Sequence, residues 1–286
     1  KTDITGDKEL EGAKLSVLDK DGNIIDTWIS NDKTHKIEGL LVNETYILRE
    51  EITPDGYVKA TDIKFTIDND YNIQKVIMID KVVEILKTDL VTGKKLEGAK
   101  LQVTDKDGNI IDEWISTKES HIVKGLEEGK TYILTEITCP YGYEQAESIT
   151  FEVTKEKETQ KIEMKDMPIL TDITLVKIDS NTKEKILKDF TFGIYEDEEC
   201  TKIIQQIDSN SEKATITFKD LRYGTYYVKE ITAPEGYQKS DKIVKIEIND
   251  EGIFVDGNKI EKDENEVYSF EFEDQMIETP KTGDKS

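Results

Sequence analysis

The chain has 286 residues, 36% hydrophobic and 35% charged, with a formal net charge of −23. That charge repels nucleic acid and anionic membranes, so neither is expected as a partner. The length allows two or three domains, and short runs of Val, Ile, Tyr, Phe and Thr with only 5 prolines exclude a disordered or collagen-like chain.

The first thirty residues, "KTDITGDKELEGAKLSVLDKDGNIIDTWIS", return 86 positions later as "KTDLVTGKKLEGAKLQVTDKDGNIIDEWIS", starting at Lys87. Within this stretch Asp21-Gly22 is a hairpin signal, and "DKDGNIID" at 19–26 and 105–112 reads as a turn. Its likeness to a calcium loop fails because the later bidentate Glu is missing. Trp28 and Trp114, like His35 and His121, are repeat-equivalent and read as packing residues. "TYILRE" at 45–50 then matches "TYILTE" at 131–136, each followed by a Pro-x-Gly-Tyr turn. "VIMID" at 76–80 matches "IEMKD" at 162–166. A third, diverged copy starts near "ITLVKID" at 173–179, keeps "TYYVKEITAPEGY" at 225–237 and ends in "YSFEFED" at 268–274. Its span from Glu230 to Asp274 is longer than that from Glu136 to Asp166, which predicts an added hairpin around Asp256-Gly257.

Short strands broken by turn signals predict an all-β protein of three tandem Ig-like antiparallel sandwiches. The expected domains are 1–81, with its N-terminal strand truncated, then 82–167 and 168–275, followed by a tail at 276–286. Short linkers predict a semi-rigid rod. No apolar run approaches the roughly 18 residues of a membrane span, and the N-terminus has no signal-peptide pattern. The sequence therefore reads as a cytosolic chain or as a piece of a longer secreted one. Cys139 and Cys200 fall in different predicted domains and are expected to be unpaired thiols. No metal or cofactor site is expected, nor a nucleophilic triad with a histidine.

The two-residue period of a strand exposes the unusual feature. In "VVEILK" the inward row is Val83, Ile85 and Lys87; in "TYILTE" it is Tyr132, Leu134 and Glu136; in "QKIEMKD" it is Ile162, Met164 and Asp166. The same parity turns Glu50 and Asp80 inward in the first copy, and Lys177, Glu230 and Asp274 in the third. Each copy thus aims one Lys, one Glu and one Asp at its own core. Burial of such charges costs several kcal/mol unless geometry compensates. It also raises carboxyl pKa values and lowers that of lysine. A neutral amine is a nucleophile, a protonated carboxyl an electrophile, and a neighbouring Glu a proton carrier. The expected product is a Lys–Asp amide with loss of water.

This skeleton, K-x-D, LEGAKL, then E-x-x-x-P-x-G-Y and a closing Asp, resembles the Cna B-type (SpaA-like) domains of Gram-positive surface proteins over essentially the whole chain. The resemblance implies an intramolecular isopeptide bond between a first-strand Lys and a last-strand Asn or Asp, assisted by the Glu. By position the triads are Lys1/Glu50/Asp80, Lys87/Glu136/Asp166 and Lys177/Glu230/Asp274. No apolar stretch precedes Lys1, so the first strand of copy one is expected to be weakly anchored. Lys87 and Asp166 stand 79 positions apart. By analogy with a disulfide, closing a loop of that size removes on the order of 4 kcal/mol of unfolded-state entropy.

The tail "TPKTG", Thr279, Pro280, Lys281, Thr282 and Gly283, resembles a sortase sorting signal with Thr at the usual Leu position. That resemblance implies sortase and a peptidoglycan or pilin amine as partners, and an extracellular, cell-wall-anchored location. The leading expectation is a monomeric structural stalk of a surface adhesin, not a turnover enzyme. The alternatives are a module binding a host matrix protein and a pilin subunit, although no Tyr-Pro-Lys-type pilin motif is present.

Overall fold

The computed structural model describes residues 1–3, 9–70, 72–154, 156 and 158–278. It divides into two compact units, Lys1–Met167 and Pro168–Ser286. No helix occurs among the described residues; the secondary structure is strand.

The first unit contains copies one and two. In copy one, β1 (Lys14–Leu18), β2 (Ile24–Ile29), β3 (Thr45–Ile52) and β4 (Ile63–Thr66) form one antiparallel sheet in the order β2-β1-β3-β4. Copy two comprises β5 (Val83–Asp89), β6 (Lys100–Asp105), β7 (Ile110–Ile115), β8 (His121–Ile122), β9 (Thr131–Thr138), β10 (Ile149–Glu152) and β11 (Gln160–Asp166). Its sheets are β10-β9-β6-β7 and β11-β5-β8. Leu101, Val103, Leu134 and Phe151 from the first sheet pack against Val83, Ile85 and Met164 from the second, as inward alternation requires.

Copy one departs from this plan. Residues 33–37 and 74–78, the equivalents of β8 and the greater part of β11, enter no strand ladder, and among the described residues the first and last segments meet at a parallel bridge between Thr2 and Ile79. In copy two β5 lies between β11 and β8 and hydrogen-bonds both, whereas among the described residues of copy one no strand lies between 33–37 and 74–78. The cluster of copy one holds six buried hydrophobic residues, against twelve that copy two contributes to its own.

Copies one and two are joined within the unit by more than the chain. Val58, from the Pro-x-Gly-Tyr turn of copy one, packs into the cluster of copy two. Lys81 is 2% exposed, and its Nζ donates to the Thr154 and Glu156 carbonyls.

In the second unit β12 (Thr171–Asp179), β13 (Thr191–Tyr195), β14 (Ile203–Asp208), β15 (Thr215–Leu221), β16 (Gly224–Thr232), β17 (Ile243–Asn249), β18 (Gly252–Val255), β19 (Asn258–Ile260) and β20 (Tyr268–Asp274) follow in order. One sheet runs β15-β12-β20 and the other β14-β13-β16-β17-β18-β19. The added hairpin is β18–β19: Val255 pairs with Asn258 across Asp256 (φ 48°) and Gly257 (φ 79°). Positive φ at both central residues is the tight turn whose twist matches a hairpin.

Candidate functional site: three buried Lys–Glu–Asp groups

In copies two and three the group is assembled from three strands and both layers of a sandwich, while in copy one Glu50 lies on β3 and Lys1 and Asp80 lie outside the strands. β5 and β11 run parallel, with Lys87 level with Met164 and Asp166 level with Asp89. Lys87 and Asp166 therefore meet on a diagonal, two residues out of step, on the same face of the sheet. Glu136 comes from the opposite layer, on β9, level with Leu101 of β6. The β6–β9 register slips between Lys100 and Leu101, immediately before that pair. The same slip precedes Leu15, which faces Glu50, and Phe192, which faces Glu230. A bulge re-aims the side chains beside it, and here it lies next to the glutamate in all three copies.

The nine sequence-predicted residues fall into three sets. Lys87 Nζ contacts Asp166 Oδ1 and lies 2.9 Å from Glu136 Oε1. Lys177 Nζ lies 2.7 Å from Glu230 Oε1 and 2.5 Å from Asp274 Oδ1. Lys1 Nζ contacts Asp80 Oδ1 and lies 2.9 Å from Glu50 Oε1. All nine side chains have zero exposure.

Burial acts on the aspartate of each set. Burial pushes Asp166 up to about 6; the Lys87 ammonium pulls it down and the Glu136 carboxylate pushes it further up. Asp274 reaches about 6 for the same reasons, and Asp80 about 7. The glutamates have a compensating partner. Glu136 Oε2 accepts the Ala146 N–H at 2.7 Å, Glu50 Oε2 that of Ala60 at 2.9 Å, and Glu230 Oε2 that of Ser240 at 2.8 Å. Asp166 Oδ2 and Asp80 Oδ2 are buried and have no hydrogen-bond partner among the described residues. Each set therefore brings together an aspartic acid disposed to hold a proton, a glutamate anchored by a backbone N–H, and an amine touching both.

Three stretches of the chain, residues 1–82, 81–168 and 171–263, match the family described as SpaA, prealbumin-like fold domain. The chain belongs to the SpaA prealbumin-like fold domain family. Among solved structures it is similar to the Bacillus anthracis TIE protein, with 22% identity and a TM-score of 0.51 over 96% of this chain and 50% of that one. The chain thus spans about half the length of that structure, and at this identity the likeness is one of fold. It is also similar to the C-terminal fragment of the pilus adhesin SpaC from Lactobacillus rhamnosus GG, with 13% identity and a TM-score of 0.45 over 70% of this chain and 98% of the other. No curated protein sequence matches it.

Within this SpaA-type frame, the structure adds residues that sequence reading did not assign. Asp89, the third residue of K-x-D, accepts the backbone N–H groups of Val91 and Thr92 at 2.8 Å and the Tyr143 hydroxyl at 2.8 Å. The Tyr of the Pro-x-Gly-Tyr box is thereby tied to the strand that carries the lysine. In the third copy Asp179 caps Asn181 and Thr182 in the same way. The motif letters were visible in the sequence, but no periodicity pairs an Asp with a Tyr more than fifty residues away. The third copy also encloses its amine in aromatic rings: Lys177 Nζ sits 4.3 Å from the Phe272 ring centroid and 5.0 Å from that of Phe192.

The remaining singled-out residues lie elsewhere. Trp28 stacks on His35 at 4.2 Å and Trp114 on His121 at 4.1 Å, each His bonded to an Asp at 2.8 Å. Asp19 and Asp105 each close their loop by accepting two backbone N–H groups at 2.9 Å. Cys139 and Cys200 are free. Thr279, Pro280, Lys281, Thr282 and Gly283 lie outside the described residues.

Proposed function

We propose that this chain is a load-bearing segment of a cell-wall-anchored surface adhesin stalk or a pilin, with each repeat at 1–81, 82–167 and 168–275 acting as a domain locked by a Lys–Asp amide. The observation that carries the reading is the placement of three lysine amines, each fully buried against an aspartate and a glutamate. Burial without reaction leaves each set with charges that the interior stabilises poorly.

The chemistry balances within each set. Glu136 takes a proton from the Lys87 ammonium, leaving a neutral amine. The Nζ lone pair attacks Cγ of the protonated Asp166, and a C–N bond forms while a C–O bond breaks. The departing hydroxyl leaves as water with a second amine proton, relayed through Glu136. From ammonium, carboxylate and carboxylic acid, the products are amide, water and protonated Glu136, with no net change of charge. Glu50 and Glu230 do the same for Lys1–Asp80 and Lys177–Asp274. Each event happens once and turns nothing over.

A covalent tie between first and last strand means that tension at the domain ends passes through the amide instead of peeling β5 from β11. That is the mechanical use of the bond. Residues 279–283 then serve as the sortase signal that joins the chain to peptidoglycan or to another subunit outside the cell. The test is intact mass under denaturing conditions, followed by digestion and sequencing of branched peptides. The expected result is a deficit of one water per bond and peptides that carry Lys87 joined to Asp166. A full unmodified mass with linear peptides overturns the reading.

A further inference from the structure

Between the reactive Asp80 of the first repeat and β5 of the second lie only Lys81 and Val82, and both are held. Asp80 donates its N–H to the Thr2 carbonyl at 2.9 Å, and the Val82 carbonyl accepts from Gln160 of β11 at 3.1 Å. Lys81 is 2% exposed; its Nζ donates to the Thr154 and Glu156 carbonyls, and its own carbonyl accepts the Val58 N–H at 2.9 Å. Residues 58–61 then run beside 126–128 of the second repeat. Lys59 donates to the Leu126 carbonyl at 2.9 Å and accepts from the Glu128 N–H at 3.3 Å. The N–H and the hydroxyl of Thr61 both donate to Glu128 Oε2, at 3.1 and 3.0 Å. Val58 is 1% exposed inside the core of the second repeat.

The docked segment also carries part of the first repeat's own site. Ala60 lies within it, and the Ala60 N–H anchors Glu50 at 2.9 Å. Asp80 immediately precedes Lys81. Backbone held by the second repeat thus adjoins both carboxyls of the first. The second repeat secures its equivalent segment in another way: Gln145 turns its side-chain amide back to the Glu136 carbonyl, beside the Ala146 N–H on the Glu136 carboxylate. Lys59 stands at the Gln145 position and spends its backbone on the neighbouring repeat instead. Likewise Val58, Thr61 and Lys81 correspond to Glu144, Glu147 and Met167, so the join is not part of the pattern the two repeats share.

We propose that the second repeat is the template on which the first repeat's reaction site is set, with Thr61 and Glu128 as positioning residues for the Lys1–Asp80 amide. The inference rests on the amide chemistry proposed above. That chemistry needs Glu50 and Asp80 against one amine, and a displacement of about 1 Å costs on the order of a hundredfold in rate. The coupling runs through contiguous contacts, from Glu128 to Thr61, along one peptide to Ala60, and from its N–H to Glu50. The second repeat places Glu136 and Asp166 with its own β9, β11 and Gln145, so its reaction does not depend on the join.

The test uses the full chain made by cell-free synthesis under a pulse label, quenched in denaturant at intervals and digested. Branched peptides then time the Lys1–Asp80, Lys87–Asp166 and Lys177–Asp274 amides separately. Glu128→Ala and Thr61→Val are each expected to slow the Lys1–Asp80 amide roughly tenfold, with the other two at parental rate and the final mass unchanged. Glu128→Gln keeps an oxygen for Thr61, and Thr61→Ser keeps the hydroxyl; both are expected to restore most of the rate. Hydrogen exchange in β1 and β3 is expected to match the parent, which shows the first repeat folded. Parental rates in Glu128→Ala and Thr61→Val, with all three amides present, overturn the coupling alone. Slowing matched by faster exchange throughout β1 and β3 also overturns it, because the first repeat has then unfolded. A parent chain that loses no water overturns it together with the amide reading, so the parent mass tells the two failures apart.

Discussion

Lys87 is level with Met164 in the parallel ladder, not with Asp166, whose carboxyl reaches the amine from two residues further along β11. The offset matters chemically. A residue directly level across parallel strands presents its side chain alongside, whereas the diagonal neighbour brings its carboxyl over the end of a four-carbon stem. Lys177, Phe272 and Asp274 repeat the relationship in the third copy.

Removing the proton carrier is expected to block one bond only. Glu136→Ala leaves a protein one water heavier than the parent, with the bonds of the other two repeats formed. The second repeat loses the loop constraint of about 4 kcal/mol, and its transition falls by on the order of 20 °C. Intact mass and calorimetry on the same sample check both effects. A parent mass in the variant removes Glu136 from the mechanism.

The rate of locking is expected to fall as pH rises. The reactive state needs a protonated Asp166, held at about 6 by burial and by Glu136. Above that value the protonated fraction drops tenfold per pH unit, and the initial rate with it. Protein refolded from denaturant at pH 5, 7 and 9, quenched at intervals and weighed, gives the profile. A rate rising through this range places the controlling proton on the amine instead.

Without the amide, stability acquires a carboxyl titration of known sign. Asp166 in the folded state holds its proton to about 6, above its unfolded value near 3.9. The protonated form therefore favours folding; that contribution is complete below about 4 and is lost as pH climbs through 6. Lys87→Met cannot crosslink and lacks the ammonium that lowers Asp166. Its second-repeat transition is expected to fall between pH 5 and pH 8 by more than that of the parent, whose Asp166 is consumed. A variant more stable at pH 8 contradicts the assignment.

Tyr143→Phe tests the tie between Pro-x-Gly-Tyr and K-x-D. Loss of one hydrogen bond to the buried Asp89 is expected to cost about 1–3 kcal/mol in protein that has not yet crosslinked. The bond still forms, but more slowly, because the strand carrying Lys87 is less firmly placed. A time course of mass after refolding distinguishes this from a direct chemical role, in which the water loss never occurs.

Lys81→Ala tests the join between the first two repeats. It leaves the Thr154 and Glu156 carbonyls without their buried donor. Exchange at 58–61 and 153–154 is expected to quicken, with the masses of the crosslinks unchanged.

Sequence periodicity by itself determined a good deal of this protein. The repeat and the two-residue alternation placed Lys87, Glu136 and Asp166 on inward rows, because a side chain's face in a strand depends only on its parity. Other features needed the tertiary structure. The bulge at Lys100/Leu101, the amide of Ala146 on Glu136 and the Tyr143–Asp89 bond all depend on which strands become neighbours and in what register. Register is a property of pairs of strands remote in sequence, and a one-residue slip changes every partner. Local pattern says which way each residue points; only packing says what it meets there.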